Sequence, residues 1–364
     1  MWQRRALLHS LAQLGLCSAT GLMHGLTHAS AALPPRALVF PRDHGAHPEL
    51  ATEWWYITGH AKAEGSGREF GFQVTFFRKR VVTTQGMNSA FAAKQLVLAH
   101  VALTDLQGRQ LLHDQRIARE GFGVAEAQLP DAGLRLRDWS LARNASDGTW
   151  QARIPSTDFA LDLRFTPTQA LLLQGDHGLS RKGPQVTQAS YYYSLPQLAA
   201  NGQITLHGQR LQISGQAWLD HEWSDALLHP EAVGWDWIGM NLHDGSALTA
   251  FRLRNRAGQA LWAGGSVRSA AGALRVFGPD EVQFQPLRHW HSPQSQADYP
   301  VAWQVNTPAG RNQVHALLDN QELDSRQSTG ATYWEGLSEL RDAAGQVIGR
   351  GYLEMTGYAQ ALRL

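Results

Sequence analysis

The sequence predicts an all-β protein built from two tandem antiparallel barrels, with little helix. Short segments of alternating polarity run through most of the chain between Gly- and Asp-rich turns, long helical periodicity is scarce, and one set of motifs occurs twice in the same order. Phe70 to Phe77, Leu96 to Leu103, Phe159 to Phe165, Leu211 to Leu219 and Leu248 to Leu253 read as strands. Helix is expected only around Leu195 to Ala200, where Pro196 opens a turn before Gln197-Leu198-Ala199-Ala200.

The duplication carries the domain prediction. His47-Pro48-Glu49 ahead of Trp54-Trp55-Tyr56-Ile57 recurs roughly 180 residues on as His229-Pro230-Glu231 ahead of Trp235-Asp236-Trp237-Ile238. Phe77-Arg78 then matches Phe251-Arg252, and Asp138-Trp139 matches His289-Trp290. Near the end of each copy, Gly215-Gln216-Ala217-Trp218-Leu219-Asp220 matches Gly349-Arg350-Gly351-Tyr352-Leu353-Glu354. Such a copy is too long for a solenoid repeat and suits a closed barrel or sandwich. The expected divisions are a signal segment at 1–31, a first barrel at 32–225 and a second at 226–364. A barrel interior can hold one small ligand, so a cavity for a small hydrophobic molecule is expected.

Arg4-Arg5 before Leu7-Leu8, a modestly apolar stretch to about Gly25 and the small residues Ala29-Ser30-Ala31 read as a twin-arginine signal peptide. That predicts export to the periplasm. The only cysteine, Cys17, lies inside this segment, so the mature chain would carry no disulfide. Lys plus Arg (32) nearly cancel Asp plus Glu (31), which gives no reason to expect a nucleic-acid or anionic-membrane partner. Thirteen Trp point to a large aromatic interior, and a monomer is expected.

Asp220-His221-Glu222-Trp223 is the densest ionisable cluster. On a strand, Asp220 and Glu222 share one face and His221 and Trp223 the other. The second copy reads Glu354-Met355 there, so the acid recurs and the histidine does not. Asp236 lies between Trp235 and Trp237; in an aromatic-lined interior, burial would hold such a carboxyl protonated as a general acid. Each acid has an equally simple structural role, as a hydrogen-bonded group at a strand end. There are sixteen His, but no HExxH spacing, Cys ligand set, phosphate loop or G-x-S-x-G elbow, so neither a metal nor a cofactor is expected.

The combination of His47-Pro48-Glu49, Glu53-Trp54-Trp55-Tyr56, Asp220-His221-Glu222-Trp223 and Gly234-Trp235-Asp236-Trp237 resembles the AttH-like and carotenoid 1,2-hydratase (hydroxyneurosporene synthase) superfamily. The resemblance implies tandem lipocalin-like barrels and, for the hydratases, cofactor-free protonation of an alkene followed by addition of water. His221 and Trp223 match the hydratases' His-x-Trp element, with Asp236 the first candidate acid and Asp220 the second. Trp54, Tyr56, Tyr192, Glu222, Trp235 and Trp237 are the expected ligand contacts. The resulting expectation is an exported protein that binds an isoprenoid or lipid-like molecule and hydrates or isomerises it as a hydro-lyase. The alternative is a non-enzymatic lipid carrier or accessory to an inner-membrane transport system, and a secreted hydrolase ranks third.

Overall fold

The computed structural model describes residues 32–226 and 228–362; the expected signal peptide, 1–31, lies outside the described residues. The chain forms two antiparallel sheets with one strand plan, the lipocalin-like arrangement. Each sheet is centred on an entry strand, Thr52–Ala63 or Gly234–Leu242. On one side it pairs with a second strand, Glu69–Arg80 or Ala247–Arg254. On the other it pairs with a closing strand, Gln209–Ala226 or Val347–Met355, which forms a hairpin with Ala189–Leu206 or Ala331–Arg341. In the first half, short strands between Ala125 and Leu136 return against Gln95–Asp105 and nearly close the barrel.

Alternation on the entry strands explains the packing. Trp55 and Ile57 point into the first half, where Phe72, Val74, Leu163 and Leu219 fill the interior. Ile238 and Met240 do the same in the second half, with Leu248, Val301, Trp303 and Leu353. The opposite faces are buried too. Tyr56, Trp218, Trp237, Phe251, Leu337 and Tyr352 form a separate apolar cluster along the seam where the halves meet. Strands covered on both faces read as nearly continuous apolar runs, which is the pattern of Trp54 to Ile57 and Trp235 to Ile238.

The ladders support part of the repeat alignment and correct part of it. Tyr56 stands opposite Asp220 and Trp237 opposite Glu354, so the matched entry and closing strands keep one register. Trp54 faces Phe77 but Trp235 faces Leu253, which shifts the second strands by two residues and makes Leu253, rather than Phe251, the positional mate of Phe77. Trp139 opens the strand Trp139–Arg143, whereas Trp290 sits near the end of Gln283–His291, so that pair does not correspond.

The helix expected at Leu195 to Ala200 is instead a β-bulge. Pro196 has no N–H to give the ladder, the register slips between Leu195 and Leu198, and Gln197 takes φ +56°. Gln197 then ties the halves together. Its backbone N–H donates to Asn241 Oδ1 (2.8 Å), and its side-chain amide donates to the carbonyls of Leu242 (3.0 Å) and Ser246 (2.8 Å).

Gly71 allows the close approach across the seam. A Cβ there would lie 2.7 Å from Tyr352 Oη and 2.9 Å from Leu337 Cβ. Gly71→Ala is expected to cost about 1–3 kcal/mol in urea unfolding, as overpacking does. Gly86→Ala, which meets nothing within 4 Å, should stay within about 0.5 kcal/mol of wild type.

Candidate active site

The closing strand of the first half divides the ionisable cluster between two environments. Asp220 and Glu222 face the seam, where a cavity of about 600 Å³ lies between the halves. Trp54, Tyr56, Tyr192, Trp235 and Trp237 line it with them, so seven of the ten residues singled out in the sequence meet there. The cavity therefore sits between the two barrels; both barrel interiors are filled by side chains.

His221, Trp223 and Asp236 lie elsewhere. His221 and Trp223 point into the first half's interior, fully buried, and Trp223 stacks on His47 at 4.1 Å between ring centroids. Asp236 points into the second half's interior, where its carboxylate accepts from Arg252 Nε (2.7 Å) and Tyr358 Oη (2.8 Å). The expected shared site of His221 and Asp236 is thus not assembled. Alternation places each on the far face of its strand from the seam residues beside it.

His221 belongs to a network around Glu53. One Glu53 oxygen accepts from His221 Nε2 (2.9 Å) and His47 Nδ1 (2.7 Å); the other accepts from Arg78 Nε (2.8 Å) and the His47 backbone N–H (2.9 Å). Burial alone would raise the Glu53 carboxyl, but the hydrogen bonds from His221 and His47 outweigh it and hold the group well below the usual range. Burial pushes His221 down to about 4 against the pull of Glu53. His47, Glu53 and His221 bring three ligand-type atoms within 4.8 Å of one another. All the Glu53 lone pairs are already engaged and a guanidinium sits beside them, which suits a buried ion-pair network better than a coordination shell.

The cavity carboxyls behave differently. Asp220 Oδ1 accepts from Ser194 Oγ (2.5 Å) and Trp218 Nε1 (2.7 Å), and Oδ2 from Tyr192 Oη (2.8 Å). Burial nevertheless pushes Asp220 up to about 7. Glu354, its positional mate in the second half, is also pushed up to about 7 by burial, with Asp220 and Glu222 adding like charge. Glu354 stands directly opposite Glu335 on the neighbouring strand, and burial followed by the Glu354 charge drives Glu335 well above the carboxylate range. Two facing carboxyls disfavour ionising together. Lys182 Nζ lies 3.0 Å from Glu222 Oε1 and 4.3 Å from the Phe251 ring.

Sequence reasoning missed Glu335, Tyr333, His100 and Lys182, all on the cavity wall. Glu354 was visible only as the repeat mate of Asp220. Tyr333 Oη lies 2.9 Å from His100 Nδ1, and Gln73 Nε2 donates to both Tyr333 Oη (3.2 Å) and Glu335 Oε2 (2.7 Å). Glu335 and the Tyr56 hydroxyl lie beside each other on this wall and interact, though Glu335 Oε1 and Tyr56 Oη make no well-formed hydrogen bond.

The family model described as AttH-like matches residues 31–358. This chain belongs to the AttH-like family. It is 47% identical to a Nitrosomonas europaea protein assigned as an AttH, over 90% of this chain and 99% of that one, with a TM-score of 0.84. Kievitone hydratase from Nectria haematococca shares the AttH-like fold at 14% identity, 92% and 95% coverage and a TM-score of 0.68. CghA does so at 13% identity, 91% and 96% coverage and a TM-score of 0.54. No curated protein matches the chain.

The Asp220 carboxyl sets a pH test. With a folded pKa near 7 against about 3.9 unfolded, Asp220 stabilises the fold below about pH 4, and that contribution is lost as the pH rises through about 7. Asp220→Asn lacks this loss. Urea unfolding at several pH values should show wild type losing ground to the variant between about pH 4 and 7. A difference that does not move with pH would mean that Asp220 is ionised throughout.

Proposed function

We propose that this AttH-like protein binds a small, largely apolar molecule in the seam cavity and hydrates or isomerises it by proton transfer from a buried carboxyl. The observation that carries this reading is the pair Asp220 and Glu354: equivalent positions in the two halves, facing one aromatic-walled cavity, each held near pKa 7 by burial. A carboxyl that is about half protonated at neutral pH can donate to an alkene carbon, and its carboxylate then takes the proton from the water that adds. Trp54, Tyr56, Trp235 and Trp237 would offer π faces to the cationic centre formed between those steps. The volume falls in the range of small-molecule sites, and an isoprenoid or lipid-like substrate suits the lining. The shared fold with a protein named as a hydratase is consistent with the reading.

Farnesol, a linear isoprenoid alcohol, is a suitable first probe. Its binding should quench tryptophan fluorescence, and Trp237→Ala should weaken it roughly tenfold through lost aromatic contact. In D2O the wild type should place solvent deuterium on the alkene. Asp220→Asn or Glu354→Gln should lower that rate by about 10²-fold or more, with affinity held within a few-fold. Binding without deuterium incorporation in the wild type would favour the carrier reading, and no binding would reject the cavity as a ligand site.

We also propose that the protein acts in the periplasm, on the strength of Arg4-Arg5 and the small residues before position 32. Residues 1–31 fused to a folded reporter should deliver it there, and Arg4→Lys together with Arg5→Lys should hold it in the cytoplasm. Export that survives the double substitution would point to another route.

A further inference from the structure

The cavity opens beside the segment joining Glu69–Arg80 to Gln95–Asp105. Lys79, Arg80, Val81 and Val82 at the start of this segment line the cavity. The rest carries apolar side chains into solvent: Val82 is 67% exposed, Met87 48% and Phe91 73%. Phe91 stacks on Phe122, itself 59% exposed, with ring centroids 5.5 Å apart, and the Arg119 guanidinium lies 4.0 Å from the Phe122 ring. Ile117, 40% exposed and on the cavity wall, lies two residues before Arg119 on the strand Gln110–Arg119, which puts this pair close to the cavity's edge. Single exposed apolar residues need no explanation, but a stacked aromatic pair at the mouth of an apolar cavity marks an interaction surface.

The charge around the mouth selects the partner. The chain as a whole is nearly neutral, yet from Phe70 to Thr104 it has no Asp or Glu and carries Lys79, Arg80 and Lys94 besides Arg78, whose charge is buried against Glu53. Lys79 and Lys94 are exposed. Arg119 adds a further cation, and Glu120 beside it is turned to the backbone N–H of Ala127. Exposed Phe, Met and Val flanked by cations match the boundary between headgroups and acyl chains in an anionic bilayer.

We propose that this rim docks on an anionic lipid bilayer, with Phe91, Phe122, Met87 and Val82 entering the surface and Lys79, Arg80 and Lys94 meeting the headgroups. Docked so, the cavity mouth faces the bilayer, and an apolar molecule can pass between membrane and protein without crossing water. The proposal stands whether or not the cavity is catalytic.

Co-sedimentation of the full chain with phosphatidylcholine–phosphatidylglycerol vesicles, against phosphatidylcholine alone, tests it. The anionic vesicles should bind at least about tenfold more strongly, and raised salt should weaken that binding. Phe91→Asp with Phe122→Asp should lower it by about tenfold or more and Lys94→Glu by roughly fivefold, while farnesol affinity stays within about twofold. Partition unchanged in both variants would overturn the proposal. So would the absence of vesicle binding together with a size-exclusion shift that Phe91→Asp and Phe122→Asp abolish, since that would assign the patch to a protein partner.

Discussion

Both faces of the central strands are covered, and this double burial governs the molecule. An entry strand packed on one face alone would alternate apolar and polar residues. Here Trp55 and Ile57 fill a barrel while Trp54 and Tyr56 face the seam, and Ile238 and Trp237 repeat the division in the second half. Each half supplies its own core and one wall of the space between them. Polar groups inside must therefore find partners on their own side of a strand. Glu53 gathers His47, His221 and Arg78 inside the first half, and Asp236 takes Arg252 and Tyr358 inside the second.

The seam treats carboxyl groups in the opposite way. Glu53 is buried among nitrogen donors and is held ionised. Asp220 and Glu335, both buried, and the half-buried Glu354 lie among aromatic rings, hydroxyls and one another, so desolvation and like charge push them up instead. Lys182 is the one lysine deep in this region among the described residues, and it lies against Glu222. The seam thus gathers acids whose burial favours the neutral form, whereas the Glu53 network favours the ionised one.

Duplication gives the cavity a near-symmetric wall. Tyr56 opposite Asp220 and Trp237 opposite Glu354 are one arrangement used twice, and the differences set its polarity. Ser194 hydrogen-bonds Asp220 in the first half, whereas Glu335 faces Glu354 at the matching place in the second. Comparing the copies in sequence suggested that groups occurring once mark the chemistry. The fold reverses that inference for geometry: the acid present in both copies lines the cavity, while His221 and Asp236, present once, stabilise separate interiors.

Strand alternation, the tandem repeat and the family were legible in the sequence, because each is local: a period of two, a motif recurring in order, a run of residues such as Asp220-His221-Glu222-Trp223. That Asp220 and Glu222 share a face apart from His221 and Trp223 was legible for the same reason. Which face meets the cavity was not, because a period of two separates two faces without saying what covers either. Only the packing of the second half against the first decided it, bringing Glu354, Glu335 and Tyr333 to the cavity that Asp220 faces, which Lys182 reaches from elsewhere in the first half. The bulge at Pro196 was hidden likewise, since its φ at Gln197 is held by Asn241, Leu242 and Ser246 across the seam.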